Sequence, residues 1–340
     1  MYMNGTGLPP CSSASSINAH CEGISVAMCT YNGEKYLREQ LESIAAQTLL
    51  PCEIVICDDG STDSTSDIVA DFGRGAPFKV KFIRNPKNLG STKNFEKAIG
   101  LCAGEFIALC DQDDIWMPEK LARQVNVLER DPQLAGVFSD ATLINDRSQP
   151  VGETLWSSIS FTPREQKKYR TGKEVSVFLK RSVVTGATLL IRNDVQRLFM
   201  PIPQTWVHDG WIAWILILQS KLELVSSPLS LYRVHEYQQC GIPPVSLRAR
   251  LTRAMQSRSQ DHLAAMKQLV DLRKRAQEQL IMENEAQLAA ISKKIAHLQA
   301  RSSLDRNRIM RMIRMIPEID NYRRFSNGWK SILKDMAMQI

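Results

Sequence analysis

Apolar runs of five or six residues alternate with segments of helical period through the first two thirds of the chain. "ISVAMC" (24–29), "EIVIC" (53–57), "KVKFI" (79–83), "EFIALC" (105–110) and "AGVFS" (135–139) read as short strands. Runs this short and this apolar suit strands buried on both faces. Between them, "EKYLREQLESIAAQ" carries Leu37, Leu41 and Ile44 at helical spacing, and "STKNFEKAIGLCA" carries Phe95, Ala98, Ile99 and Cys102. "PEKLARQVNVLE" opens a further helix with Pro118 at its first turn. "DDGSTDST" is rich in turn formers and helix N-caps. Strands alternating with helices imply βαβ units, hence an α/β fold with a central, mostly parallel sheet and helices on both faces.

Residues 146–181 are polar and without period, which predicts a mobile connection over the site. "VVTGATLLIR" (183–192) resumes strand character, "HDGWIAWILILQ" is helical, "LYRVH" (231–235) is a final strand, and "IPP" (242–244) closes the domain. From 246 onward the chain is polar with helical period. Ile281, Leu288 and Ile295, with Ile291 and Leu298, make a short heptad seam. The pattern therefore divides the chain into a disordered leader (1–22), one large domain (23–245) and a basic helical C-terminal region (246–340). The leader is rich in Ser, Gly, Asn and Pro and lacks the basic and apolar stretches of a secretory signal.

Composition narrows the class. The longest apolar run, "WIAWILIL" (211–218), falls far short of the roughly 20 residues that span a bilayer. The cysteines form no C-x-x-C pair, so a structural zinc site is not expected, and several lie inside strand-like runs. They read as reduced core residues of a cytoplasmic protein. The net charge of +7 is unevenly spread. Residues 246–340 hold 19 Lys and Arg against nine Asp and Glu, and the rest of the chain holds 24 against 27. The basic character belongs to the tail.

Chemistry concentrates where apolar runs end. "EIVICDDGSTD" and "EFIALCDQDDIW" both place acids at a strand's carboxyl end, where open parallel sheets collect ligands. Asp111 and Asp113 lie two apart, so in extended chain both aim at one point. Like charges so close are reconciled by a divalent cation, and Mg²⁺ or Mn²⁺ commonly shares its shell with substrate phosphates. The plain alternative is a solvated acidic turn capping the helix near Pro118. A rival chemistry is the aspartyl phosphatase, which also places D-x-D after an apolar strand. That enzyme needs Thr or Val soon after the second Asp, on the first strand; here Asp114 and Ile115 follow, on the fourth.

Taken in order, "ISVAMCTYNGEKYLREQLESIAAQT", "EIVICDDGSTDST", "NPKNLGSTKNFEKAI", "GEFIALCDQDDIWMPEKL", "TGATLLIR", "HDGW" and "YRVH" resemble the inverting GT-A glycosyltransferases of family 2, and within them the rhamnosyltransferase-like group. The resemblance covers about residues 23–241. It implies a GT-A, Rossmann-like nucleotide-diphospho-sugar transferase fold with a C-terminal helical extension. It assigns nucleotide-sugar binding to Thr30, Tyr31, Glu34, Asp59, Asn88, Lys93, Asp111 and Gln112, and metal binding to Asp113, Asp111 and His235. Asp209 matches the acid that takes the acceptor's proton, a role compatible with capping its helix. Gly186, His208 and Trp211 fall on the acceptor side. Trp211 and Trp214, spaced i, i+3, suit a core position as well as a sugar platform. "EYQQCG" departs from the family at Tyr237 and Gln238, where Asn is usual.

The function this implies is inverting, metal-dependent transfer of a sugar to an acceptor hydroxyl in cell-surface polysaccharide or glycolipid synthesis. The donor would be dTDP-rhamnose or a UDP-sugar, the acceptor a glycan or a lipid-linked glycan, the cofactor Mn²⁺ or Mg²⁺. A different class stays open: a catalytically silent module that binds a sugar nucleotide or a glycan. The tail, with "RNRIMRMIRMIPEI" placing Ile309, Met312, Ile313 and Ile316 on one face, suits the inner face of the plasma membrane, a second copy of the chain, or the core itself. Without zinc ligands or a reading motif, nucleic acid is not expected as a partner.

Overall fold

The computed structural model describes residues 21–219, 221–235, 259–278, 285–305 and 307–337. The leader up to residue 20, the "IPP" boundary, Tyr237, Gln238 and Ile281 lie outside them. Among the described residues nine strands form one sheet in the order β3-β2-β1-β4-β8-β6-β9-β5, with β7 on β6. Strands β1 (Cys21–Thr30), β2 (Glu53–Asp58), β3 (Lys79–Arg84) and β4 (Gly104–Cys110) pair in parallel. The register sets Thr30 beside Asp58 and Met28 beside Cys110, so the chain leaves β1, β2 and β4 at one edge. Helices α1 (Leu37–Ala45), α2 (Thr65–Gly73), α3 (Ser91–Gly100) and α4 (Lys120–Arg130) connect the strands and bury the apolar stripes expected of them.

The second half of the sheet is mixed. β6 (Gly136–Ile144) runs parallel to β9 (Leu222–Arg233), whereas β8 (Leu189–Arg192) is antiparallel to both β4 and β6. The two-residue β5 (Ile115–Trp116) closes the edge against β9. The strand expected over 183–192 is therefore only four residues long. Residues Gly186–Thr188 form a 3-10 turn, because Gly186 N–H turns to the Asp209 carboxylate and Thr188 N–H to the Thr185 carbonyl.

Residues 146–181 correct the sequence reading. They form β7 (Pro150–Thr154) and short helices at Leu155–Ser158, Pro163–Lys168 and Glu174–Phe178. Trp156, Phe161, Tyr169, Val175 and Phe178 are buried in the main core. Phe161 meets Trp156 edge-on at 5.0 Å, and Phe178 meets Trp214 at 5.5 Å. Each helix is too short to show a period, so the anchors look scattered in sequence although each is packed.

The C-terminal region is helical. The Ser259–Glu278 and Glu285–Ser302 helices place Leu269, Leu272, Ala276, Ile291 and Leu298 in the sheet's own core, with Leu288 and Ile295 against it. The described part of the heptad seam thus faces the domain. The first of these helices also grips the segment before the helix His208–Ile217 (α5 below): Arg275 donates to the Met200 and Pro201 carbonyls, Gln268 to that of Thr205. Three shorter helices, Arg308–Met315, Ile319–Phe325 and Trp329–Ala337, enclose a small core of Leu304, Met315 and Tyr322.

A buried polar knot ties these last helices down. Both Asp335 oxygens take hydrogen bonds from the Arg301 fork, at 2.6 and 2.8 Å, and Tyr322 donates its hydroxyl at 2.6 Å. Burial alone would raise the Asp335 carboxyl; His262 at 3.6 Å, Arg301 and Tyr322 outweigh it and hold it far below the usual carboxylate range. Asp335→Ala leaves Arg301 buried without its counter-charge, so a loss of about 3–5 kcal/mol in the stability of this unit is expected, read by thermal unfolding. Because the folded value is depressed, the contribution is complete above about pH 4, the unfolded carboxyl's value, and is lost progressively as the pH falls below it.

Candidate active site

A cleft of about 660 Å³ opens at the carboxyl ends of β1, β2 and β4. Beside it, the end of β2 presents two acids in opposite directions, of which Asp59 lines the cleft. Asp58 accepts from the Thr30 hydroxyl at 2.9 Å and from Ser61 N–H, which shapes the loop after β2. Asp59 accepts from Asn85 Nδ2, Leu89 N–H and Gly90 N–H at 2.7–2.9 Å, which pins the loop before α3. Tyr31, at the mouth, stays 41% exposed. Gln112 crosses from the end of β4 to clamp the Tyr31 backbone, accepting its N–H at 2.9 Å and donating to its carbonyl at 3.1 Å. The clamp needs Gly33: a Cβ there would sit 2.4 Å from Gln112 Oε1.

The carboxylates follow. Asp111 and Asp113 line the cleft, and Asp113 Oδ2 lies 2.8 Å from His235 Nε2. Burial pushes the Asp111 carboxyl up to about 8, with the Asp113 and Asp209 charges adding to it. Asp114 turns inward: Oδ1 accepts Arg233 N–H at 2.9 Å, Oδ2 has no partner, and burial pushes its carboxyl well up, as a protonated, structural acid requires. The Arg233 side chain, fully buried, donates to the Asp113 carbonyl and to Glu39, and stacks over Tyr36 at 4.4 Å. Lys120 lies beneath, donating to the Ala187 carbonyl at 2.6 Å, and burial lowers its ammonium to about 8.

Asp209 stands on the same cleft, in the first turn of α5 (His208–Ile217). Its Oδ2 accepts Gly186 N–H at 2.9 Å and its Oδ1 accepts Gly210 N–H at 2.6 Å, so the carboxylate is fixed while lone pairs remain open. His208 stacks on Phe95 with centroids 3.8 Å apart, and neither ring nitrogen has a protein partner. Burial lowers its pKa and keeps it neutral. A Cβ on Gly186 would come within 2.7 Å of His208 Nε2, which explains the small residue there.

Of the residues singled out in the sequence, Thr30, Tyr31, Asp59, Asp111, Gln112, Asp113, Gly186, His208, Asp209 and His235 share this cleft. Four do not reach it. Glu34 accepts Ser64 N–H at the start of α2, and Asn88 donates to the Asp59 carbonyl. Lys93 turns its ammonium to Glu96 and the Ile202 carbonyl, outside the cleft. Trp211 is core: 1% exposed, its indole N–H donating to the Phe199 carbonyl. The three residues expected to hold a metal line one cleft but do not form a ready-made site. Among the described residues no three such ligands converge. Asp113 and His235 are close enough to share an ion, and a hard divalent cation held by few protein groups fills its shell from substrate phosphates and water. The oxygen–imidazole pair beside mutually repelling carboxylates fits such an ion. Sequence reasoning missed Lys35, Tyr36, Asn94, Leu155, Ile159, Ser182, Thr185 and Tyr232, which also line the cleft. Lys35, Tyr36, Asn94, Thr185 and Tyr232 lie inside the quoted motifs but were given no role there.

The chain is similar to known proteins in sequence and in fold. The model of the family described as glycosyl transferase family 2 matches residues 25–198. An uncharacterized protein of Mycobacterium tuberculosis (strain ATCC 25618 / H37Rv) is 28% identical over 217 residues, 63% of this chain and 59% of that one. An uncharacterized glycosyltransferase of Nostoc sp. is 29% identical over 219 residues, covering 62% and 65%. The chain thus spans less than two thirds of the length of these relatives. Among solved structures, S. aureus TarS 1-349 in complex with UDP-GlcNAc superposes with a TM-score of 0.52 at 17% identity, over 92% of this chain and 89% of that one.

Proposed function

Because the chain belongs to glycosyl transferase family 2, we propose that its cleft holds a nucleoside-diphosphate sugar and passes the sugar, with inversion, to an acceptor hydroxyl. The observation that carries this reading is the placement of Asp209 in one cleft with the Asp111–Asp113–His235 group, close enough for its charge to act on Asp111. Displacement with inversion needs a proton acceptor on one side of the anomeric carbon and charge stabilisation for the leaving diphosphate on the other.

The chain's residues divide the work. Tyr31 offers an exposed ring for a base to stack on. Asp59, with three donors already bound, keeps one lone-pair site for a base N–H. Asp113 and His235 would hold Mn²⁺ or Mg²⁺, which when bound neutralises charge on the departing diphosphate. Asp209, oriented by Gly186 and Gly210, accepts the proton of the attacking hydroxyl. His208, neutral and without a protein partner, stands beside Asp209 and offers a ring nitrogen to a sugar hydroxyl. Leu155 and Ile159, from the segment over the cleft, exclude water.

The donor is dTDP-L-rhamnose or a UDP-sugar, and the acceptor a glycan of the cell surface. The test is release of nucleoside diphosphate from dTDP-rhamnose, UDP-glucose, UDP-GlcNAc and GDP-mannose, each with and without Mn²⁺. Turnover of one donor, dependent on the metal, is expected. Tight nucleotide binding with silence across the panel would instead support a non-catalytic binding module.

A further inference from the structure

Helix Arg308–Met315 packs the wrong way round for a helix whose partners are all within this chain. Its isoleucines face solvent: Ile309 is 71% exposed, Ile313 54%, and Ile316 one turn on 60%, with Met312 at 57%. Its inward face carries Arg311, only 3% exposed, whose guanidinium donates to the Asp305, Asp335 and Met336 carbonyls, together with Met315. The structure thus buries an arginine and leaves the apolar stripe outside, although burying an isoleucine is worth roughly 1.5–3 kcal/mol.

Polar groups frame the stripe. At 100° per residue, Met312, Ile316, Ile309, Ile313 and Met310 fill one continuous arc, and Arg308 and Arg314 stand at its two margins. The helix contains no acidic residue. Arg308 makes no ion pair among the described residues, and Arg314 sits 4.0 Å from Asp305 at the helix's own base. The neighbouring helix adds Trp329 at 66% and Leu333 at 57% exposure, with Lys330 between them.

We propose that this face seats the protein on an anionic lipid bilayer, with the helix lying in the plane of the interface. An exposed apolar arc edged by long cationic side chains matches that environment on both counts: the isoleucines enter the acyl boundary and the arginines reach back to phosphates. Trp329 is the residue type that favours the same depth. No described helix is long and apolar enough to cross a membrane, so the contact is with one leaflet. Pairing with a second copy is the poorer match. A two-fold contact through this stripe would bring Arg308 and Arg314 of both copies together with no acid on the helix to offset them.

The test uses the full chain and sedimentation with vesicles of phosphatidylcholine, alone or mixed with phosphatidylglycerol. Binding to the mixed vesicles is expected, falling at least ~tenfold in an Ile309→Ser/Ile313→Ser/Ile316→Ser variant whose thermal midpoint is unchanged. An Arg308→Gln/Arg314→Gln variant is expected to lose the preference for the anionic lipid. The proposal is overturned if the wild-type chain stays in the supernatant with anionic vesicles, or if the triple variant binds them as well as wild type. A wild-type dimer that the triple variant abolishes, without vesicle binding, would also overturn it.

Discussion

Asp209→Asn is expected to lower the transfer rate by about 10²–10⁴-fold, the usual contribution of a positioned general base, while nucleotide binding stays within about twofold of wild type. The asparagine keeps the side-chain shape and one carbonyl oxygen for the Gly186 N–H, but it turns its amide NH₂ toward the Gly210 N–H that Oδ1 accepts, so thermal unfolding is measured beside the rate. What it loses is the second anionic oxygen that can take a proton. Single-turnover transfer alongside calorimetric nucleotide binding separates the two effects. A rate within tenfold of wild type would move the base elsewhere, and His208, neutral and adjacent, would be the next residue to examine.

The second large effect is expected at Asp113. Asp113→Asn removes a carboxylate from the pair it makes with His235 at 2.8 Å, where the proposed reaction places the metal and the charge of the leaving diphosphate. Several kcal/mol of stabilisation of that charge are at stake, which corresponds to about 10²–10³ in rate at fixed metal concentration. The concentration of Mn²⁺ giving half-maximal rate should rise in parallel. Unchanged rate and unchanged metal response together would remove Asp113 from the ion's shell. The loop around it should survive the change, because Arg233 holds it through the Asp113 backbone carbonyl rather than the side chain.

These residues could be found in the sequence because each follows an apolar run, and in parallel strands whose register is set by buried faces the ends arrive at one edge. Asp59, Asp111 and Asp113 were legible for that reason, whereas Asp209 was singled out only by the resemblance of "HDGW" to the family's acid before a late helix. Arg233 and Lys120 were not. Their partners lie far along the chain, Glu39 for the one and the Ala187 carbonyl for the other, so their burial follows from topology that no local pattern encodes. Lys93 misled for the same reason: its ammonium reaches the Ile202 carbonyl, 109 positions away. Trp211 carried two readings, and the all-round apolar character of α5 decides for the core. The 146–181 segment failed differently, since helices of four to six residues bury aromatic anchors without ever completing a periodic stripe.

The grip of the Ser259–Glu278 helix on residues 200–205 gives the tail a mechanical share in the chemistry. That segment runs directly into Val207 and the turn bearing Asp209, so Arg275 and Gln268 stand as props behind the proposed proton acceptor. Cutting the chain after residue 245 would withdraw those props together with the helix proposed to face lipid. A shortened protein that no longer turned over would then have lost its aim as well as its seat.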